Sequence, residues 1–358
     1  MKVLVTGGAG FIGSHVVDAL LSEGHGVRVI DALHPAAHNG KPDYLNDAAE
    51  YIWGDLRDED LVRGAVRGID AVSHQASMVG LGKDLGDLTD FVQHNDVATA
   101  TLLRSLFLEG RSIPLTLASS MVVYGEGAYA CPEHGDIAVD QRSEMALKRG
   151  EFEAQCPLCA DQLQPVAVTE DAHLEPRSVY AATKLHQEHL MQAFAAETGT
   201  PLIRLRYHNV YGDRMPADTP YAGVASIFRS SLQRGDPPQV FEDGKQLRDF
   251  VHVTDVARAN VLALSSDAQP GTCNIASGSP RSVMDMAEVL AAAGQSSQDP
   301  LVTGSYRIGD VRHVFGSPER ARVMLGFEAT VTFEEGMTAF AHGVLRAATN
   351  IEVPTPHE

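Results

Sequence analysis

Cysteine is scarce here: four in 358 residues. So few thiols do not make a disulfide framework, and the chain reads as a protein of a reducing, cytoplasmic compartment. Basic residues are also short, 28 Lys and Arg against 47 Asp and Glu, which leaves a formal net charge of −19. Such a field repels nucleic acid and anionic membrane surfaces, so neither is expected as a partner. No apolar run approaches the roughly 20 residues needed to span a bilayer. The opening "MKVLVTGGAG" has only a short apolar run before its glycines, which reads as a strand entering a turn rather than a signal peptide. Internal repeats and low-complexity segments are absent as well. What the chain does have is 44% hydrophobic residues and 21% charged ones, enough for one large domain or two modest ones. An anionic small substrate stays open, provided a few arginines are placed locally to receive it.

The first thirty residues read as strand, glycine turn, helix, strand. Val3–Val5 is a short apolar strand. Gly7, Gly10 and Gly13 form G-x-x-G-x-x-G, and Ile12, Val16, Ala19 and Leu20 then recur at helical spacing. "GVRVID" is a second strand ending in Asp31. The glycines let backbone approach a pyrophosphate, and the helix N-terminus offers free N–H groups and partial positive charge. Asp31 sits where a carboxylate accepts from an adenosine ribose, and it would repel a 2′-phosphate, favouring NAD over NADP. The bland alternative is a tight turn that binds nothing.

Further strands are predicted at "YIWGDLRD" (51–58), "DAVSHQAS" (70–77) and "PLTLASS" (114–120), separated by helical stretches. That alternation predicts an α/β fold with a Rossmann-type, doubly wound parallel sheet. Ligands of such sheets sit at the carboxyl ends of the strands, near Asp55, Gln75, Ala76, Ser77, Asn95, Ser119 and Ser120. "SVYAATKLHQEHLMQAF" (178–194) is an amphipathic helix that places Tyr180 and Lys184 on one face. A lysine ammonium, helped by an oxidised nicotinamide, would lower the tyrosine pKa from ~10 toward working pH and make it a general base. Alone, Y-x-x-x-K is equally a surface helix.

"TGGAGFIGSH", "GDLRD", "HQAS", "SSMVVYG", "YAATK", "LRYHNVYG" and "LRDFVHVTDV" occur in that order. Together they resemble the extended short-chain dehydrogenase/reductase family, the nucleotide-sugar epimerases and dehydratases, over all of the chain but about residues 127–175. The resemblance implies bound NAD and a nucleoside-diphosphate sugar partner. It implies a catalytic set of Ser120, Tyr180 and Lys184. The cofactor would be held by Gly7, Gly10, Phe11, Ile12, Gly13 and Asp31, then Asp55, Leu56, Gln75, Ala76, Ser77 and Asn95, with Tyr180, Lys184 and Tyr207. The sugar diphosphate would fall to Asn209, Arg248 and Arg307, with Asp310 on the ribose or sugar; two ordinary surface arginines are the alternative. Asp249 and His252 are expected to brace their loop. The family also implies a homodimer paired through the helix of Tyr180.

Branch is read after Ser120. Dehydratases of this family resemble S-T-D-E-V-Y-G, where an Asp–Glu pair moves protons; here Met121 and Val122 stand in those places and cannot titrate. What remains is removal and return of hydride at one carbon. That fits an isomerase, an NAD-dependent 4-epimerase acting through a 4-keto sugar. The alternatives are a 4-keto sugar reductase and a cofactor-sensing module without catalysis. The cysteine-bearing segment and "RMPADTPYAGVASIFR" further resemble bacterial 4-epimerases of dTDP-L-rhamnose, which implies that sugar or another dTDP- or UDP-hexose.

Ser120 and Tyr180 stand sixty residues apart, and the extra length, 127–175, carries Cys131, His134, Cys156 and Cys159. C-x2-H with C-x2-C is the ligand set of a closed, structural zinc site in an insert too small for a core of its own. Buried thiols beside a surface histidine are the alternative. The insert must border the active site, as a metal-stapled lid or a dimer element. "QRSEMALKRGEFEAQ" within it reads as a short helix. The division expected is 1–126 with 176–212 and 250–278 for the NAD-binding domain, 127–175 for the zinc-ribbon-like insert, and 213–249 with 279–358 for a smaller substrate-binding domain. In that last part a Ser282–Asp285 capping box opens one helix, and Ser317 as N-cap with Pro318 at N1 opens another. Cys273 is expected in the core.

Overall fold

Val3, Leu4 and Val5 are fully buried and form the centre of β1 (Lys2–Thr6) in the computed structural model, which describes every residue except 36, 81–84, 218–222, 295–297 and 347–358. Side chains alternate across a strand, so Val3 and Val5 face one layer and Leu4 the other. After the glycine turn come α1 (Phe11–Ser22), β2 (Gly26–Asp31), β3 (Glu50–Trp53), α2 (Glu59–Ala65) and β4 (Ala71–His74). A short helix, α3 (Leu88–Phe91), runs through a π-helical turn at Val92–Val97 into α4 (Ala98–Leu108), and β5 (Leu115–Ser120) follows.

Segment 127–175 holds a three-stranded antiparallel sheet of β6 (Ala128–Cys131), β7 (Gly135–Ile137) and β8 (Gln164–Val166), with β6 in the middle, and the short helix α5 (Glu144–Lys148). Its small core is Tyr129, Cys131, Ala154, Cys156 and Leu163. The chain returns with α6 (Val179–Thr198), β9 (Leu202–Tyr207) and β10 (Asn209–Tyr211). Beyond lie α7 (Val224–Arg234), β11 (Gln239–Val240), β12 (Leu247–Arg248), β13 (Phe250–His252), α8 (Val253–Ala263) and β14 (Gly271–Ile275). The chain closes with β15 (Arg281–Ser282), α9 (Val283–Ala293), β16 (Leu301–Val302), α10 (Glu319–Leu325) and α11 (Phe333–His342).

The main sheet has seven parallel strands in the order β14-β9-β5-β4-β1-β2-β3. α1 and α8 cover one face through Val16, Val17 and Ala257; α2, α4 and α6 cover the other through Val62, Leu102 and Met191. The order reverses between β1 and β4, which opens a crevice at their carboxyl ends. α7, α9 and α11 build a separate core of Phe228, Met286, Leu290, Met337 and Phe340.

Cys273 is fully buried in β14, and Ser282 and Asp285 form the expected capping box. Ser317 is not the N-cap of α10. The Pro318 carbonyl accepts from Arg322 N at 3.1 Å, which makes Pro318 the cap and starts the helix one residue later. The expected C-terminal limit of the substrate-binding part and residues 218–222 of "RMPADTPYAGVASIFR" lie outside the described residues.

Candidate active site

The glycine turn is set by close approach. Gly7 has φ +68°, and a Cβ on Gly13 would lie 2.1 Å from the Gly7 carbonyl oxygen. Gly10 caps α1 without a side-chain hydrogen bond, so the first N–H groups of the helix remain free for an anion. They border a cavity of about 460 Å³ at the sheet's crevice. Gly7, Gly10, Phe11, Ile12 and Gly13 line one wall, with Asp31, Asp55 and Leu56 at the end nearest β2 and β3. Gln75, Ala76 and Ser77 lie opposite, and Ser120, Tyr180, Lys184, Tyr207 and Asn209 close the far end.

Asp31 is held by its own loop: its carboxylate accepts from Ala9 N at 2.9 Å and Leu33 N at 2.8 Å. Each oxygen keeps a further lone pair toward the cavity. Arg57 beside Asp55, donating at 2.7 Å, holds that carboxyl below the usual range. Asn95 does not line the cavity. Fully buried on the π-helical turn, it accepts from Met78 N at 2.7 Å and Ser77 Oγ at 3.1 Å and donates to Thr183 at 2.9 Å. It ties the loop after β4 to α6.

Ser120 ends β5 and Tyr180 opens α6, and the two side chains are hydrogen-bonded. Burial pushes the Tyr180 phenol up to about 12, with only the Ser120 bond acting against it. Among the protein's own groups only Ser120 lowers it; the expected lowering relied on an oxidised nicotinamide as well as on Lys184. Burial likewise pulls the Lys184 ammonium down to about 7, with Glu188 and Asp96 acting against it. Its Nζ donates to Gln187 Oε1 at 2.7 Å, and Gln187 Nε2 donates on to Thr99 at 2.7 Å. His74 completes this buried chain, 2.7 Å from Thr6 Oγ1 and 2.9 Å from Thr99 Oγ1; desolvation takes it down to about 3, so it stays neutral. Behind Ser120, Ser119 donates to Glu188, which grips Arg206 at 2.8 and 2.9 Å.

Of the groups expected on the substrate, only Asn209 lines the cavity, and its Oδ1 is buried with no hydrogen-bond partner among the described residues. Arg248 is 8% exposed and donates to the carbonyls of Leu247, Val311 and Arg312, with Asp310 3.7 Å away. Arg307 is exposed, its guanidinium 5.2 Å above the Phe241 ring. Asp249 braces its loop by accepting from Ser277 N and Gly278 N at 2.6 and 2.9 Å, and His252 Nδ1 lies 2.7 Å from Thr254 Oγ1.

The ligand atoms of Cys131, His134, Cys156 and Cys159 all lie within 4.8 Å of one another. Each pair is followed by a left-handed residue, Gly135 at φ +72° and Ala160 at φ +64°. These turns fold both pairs toward one point.

Three cavity residues carried no sequence signal: His34, His38 and Arg346. Arg346 pairs with Pro216 in a parallel bridge and hydrogen-bonds Tyr44, so the last described residue helps close the cavity that Asp31 also lines. Burial and the Arg346 charge take His38 down to about 4. Glu126, just after "VYG", was missed too; it is buried near Arg142, Arg177, Arg248 and Asp310.

Residues 3–276 match the model of the NAD dependent epimerase/dehydratase family. The chain is 32% identical over 346 residues to a dTDP-L-rhamnose 4-epimerase of Burkholderia thailandensis, covering 94% of this chain and 93% of that one. Among solved structures it is similar to a UDP-glucose 4-epimerase of Thermotoga maritima with UDP-glucose, at TM-score 0.76, 29% identity, and 96% and 98% coverage. A UDP-N-acetylglucosamine 4-epimerase of Methanobrevibacter ruminantium gives TM-score 0.77 at 28% identity, with 95% and 97% coverage.

Proposed function

This chain belongs to the NAD dependent epimerase/dehydratase family, and we propose that it inverts C4 of a nucleoside-diphosphate sugar. The observation that carries this is the hydrogen-bonded Ser120–Tyr180 pair at the far end of a cavity that begins at the glycine turn. Met121 and Val122 beside it offer no acid or base for elimination. The wall fits NAD: free N–H groups at α1, a preset Asp31, and backbone packed where only glycine fits. When bound, NAD supplies the hydride acceptor and a positive ring near Tyr180. The chain's own residues do the rest. Tyr180 takes and returns the 4-hydroxyl proton, directly or through Ser120. Lys184 holds its ammonium against Gln187. Asn209 presents its unpaired carbonyl to the sugar diphosphate end.

The relative acting on dTDP-L-rhamnose supports that sugar, or another dTDP- or UDP-hexose, as substrate. Proton NMR of the purified protein, mixed without added cofactor with dTDP-L-rhamnose, UDP-glucose or GDP-mannose, tests it. A new anomeric signal reaching equilibrium from one of the first two is expected. Turnover only with a keto-sugar and added NAD(P)H would replace the reading with a reductase.

The reading extends to the domain division given above, with 127–175 as an insert. It includes a structural zinc in that insert. A tetrahedral ion with Zn–S near 2.3 Å and Zn–N near 2.0–2.1 Å has S–S edges of about 3.8 Å and S–N edges of about 3.6 Å. The corresponding separations are 3.7 Å for Cys131–Cys159, and 3.4 and 3.6 Å for Cys131 and Cys156 to His134 Nδ1. It also includes a homodimer, paired through α6 and the neighbouring α4. None of the four cysteines is in a disulfide, which supports a reducing, cytoplasmic setting. No described helix is long and apolar enough to cross a membrane.

A further inference from the structure

The insert is tied to the strip that carries the expected substrate residues, and it is tied by charge. Glu153 stands three residues before Cys156. Its carboxylate accepts from Arg312 Nε at 3.1 Å and Arg312 Nη2 at 2.5 Å, and lies 2.9 Å from His313 Nε2. Against the desolvation that would raise it, the hydrogen bonds from His313 and Arg312 hold Glu153 well down, at about 2. Arg312 is fully buried, and from its other side Glu242 and Asp243 accept from it at 2.8 and 2.7 Å. A second arm of the insert reaches the same strip: Arg142 donates to the Asp310 carbonyl at 2.7 Å and to Glu242 at 2.8 Å. Tyr129, in the centre of the insert's sheet, accepts from His313 N at 3.2 Å. Residues 310–313 are thus gripped by the insert on one side and by Arg248, through the Val311 and Arg312 carbonyls, on the other.

Apart from its three-stranded sheet, the insert has little besides its cysteine cluster to hold those arms in place. Its core is five buried residues, two of which are the ligands Cys131 and Cys156. The backbone around the cluster is closed by Cys156 N to Asp161 O and Leu163 N to Ala154 O, both within the loop that begins at Glu153. A pair of ligand turns this short fixes Glu153 only while the four side chains share one centre.

We propose that the metal centre is a remote positioning element for nucleotide-sugar binding. Resting on the zinc and substrate readings above, zinc at Cys131, His134, Cys156 and Cys159 sets the insert so that Glu153 and Arg142 clamp the strip of Asp310 to His313. The strip in turn fixes the Arg248–Asp310 pair that receives the nucleotide end of the substrate. The cofactor cavity is outside this chain of contacts, because none of these residues lines it. Loss of the metal therefore weakens nucleotide binding and leaves NAD in place.

The test uses the full chain with dTDP and UDP as probes. Zinc per chain is counted by mass spectrometry of the metal, nucleotide affinity by titration calorimetry, and NAD by absorbance after release. The wild type is expected to hold one zinc per chain. Cys156→Ser is expected to lose it, to bind the preferred nucleotide about tenfold more weakly, and to keep its NAD. Glu153→Gln keeps the metal and the ligand turns, so it separates the clamp from the fold of the insert; it should weaken nucleotide binding in the same direction with zinc and NAD unchanged. Unaltered affinity in both variants overturns the proposal. A wild type without zinc overturns the metal half while Glu153→Gln still judges the clamp. A wild type that binds neither nucleotide overturns the substrate role of the strip, and the proposal with it.

Discussion

Glu126 is a carboxyl group kept where water hardly reaches. It is 5% exposed, and its Oε1 has no hydrogen-bond partner among the described residues. Burial pushes it up to about 7, with Asp310 adding to the rise while Arg142, Arg177 and Arg248 oppose it. Its native pKa is thus above the unfolded value of ~4.3, so the folded chain binds more protons than the unfolded one between those limits. The group's contribution to stability is full below the unfolded pKa and is lost as pH rises through 7. Glu126→Gln removes that loss without changing volume. The variant should come close to the wild type near pH 4.5 and exceed it by about 3–4 kcal/mol at pH 8. Denaturant melts across that range check the sign; a variant that loses stability as pH rises, relative to wild type, refutes it. The raised phenol of Tyr180 belongs to the same scale and was equally invisible in the sequence. Y-x-x-x-K gives the spacing of two groups, but a pKa is set by what surrounds them, here burial without a nearby charge from the protein itself.

The elements that were legible are those whose signals are local. The glycine turn packs three steric demands into seven residues, and the Ser282–Asp285 box names both partners of a helix start within four. The two C-x2 pairs were legible for the same reason, since ligand spacing within a turn is a property of the turn. Asn95 shows the limit. The sequence places it near the strand ends, yet its partners are Met78 and Thr183, and the choice between cofactor and loop is made by a helix nearly ninety residues on. Arg346 had no signal at all, because its place beside Asp31 depends on a tertiary bridge to Pro216. The glycine turn can be tested as an element. A Cβ at Gly13 would meet three backbone atoms, Gly7 O at 2.1 Å, Gly7 C at 2.9 Å and Gly8 Cα at 3.0 Å, and backbone cannot rotate aside as a side chain can. Gly13→Ala must move the turn off α1 and spoil the anion site at its N-terminus. The variant should be purified with less than a tenth of the wild-type NAD content. Full NAD content would show that the turn accommodates a methyl group and that close approach is not what selects glycine there.

At the scale of the molecule, the proposed homodimer has to form between copies of a chain of net charge −19. Like-charged bodies repel, so the contact needs apolar surface to offset that repulsion. α4 presents it: Phe107 is 62% exposed, Leu108 48%, and Val97, a few turns earlier on the same side, 38%. Exposed aliphatic and aromatic residues scattered singly are ordinary, but Val97 and Leu108 lie on one side of a helical run that packs beside α6, with Phe107 next to Leu108. The outward side of α6 carries Ala182, His186, His189, Ala193 and Ala196, small or weakly charged groups that let two helix pairs approach. A dimer formed there puts the helices of both Tyr180 residues against each other and leaves both cavities open. Sedimentation equilibrium should then give twice the chain mass of 38.4 kDa. Because the attraction is apolar and the opposition is a screened field, the dimer should be tighter at 0.5 M salt than at 50 mM. Phe107→Glu adds a charge at the C-terminal end of this apolar surface and should yield monomers that keep their NAD, since α4 reaches the cavity only at its other end, at Ala98. A wild type that sediments as a monomer at both salt concentrations rules the interface out; a dimer that Phe107→Glu does not disturb moves it to another face.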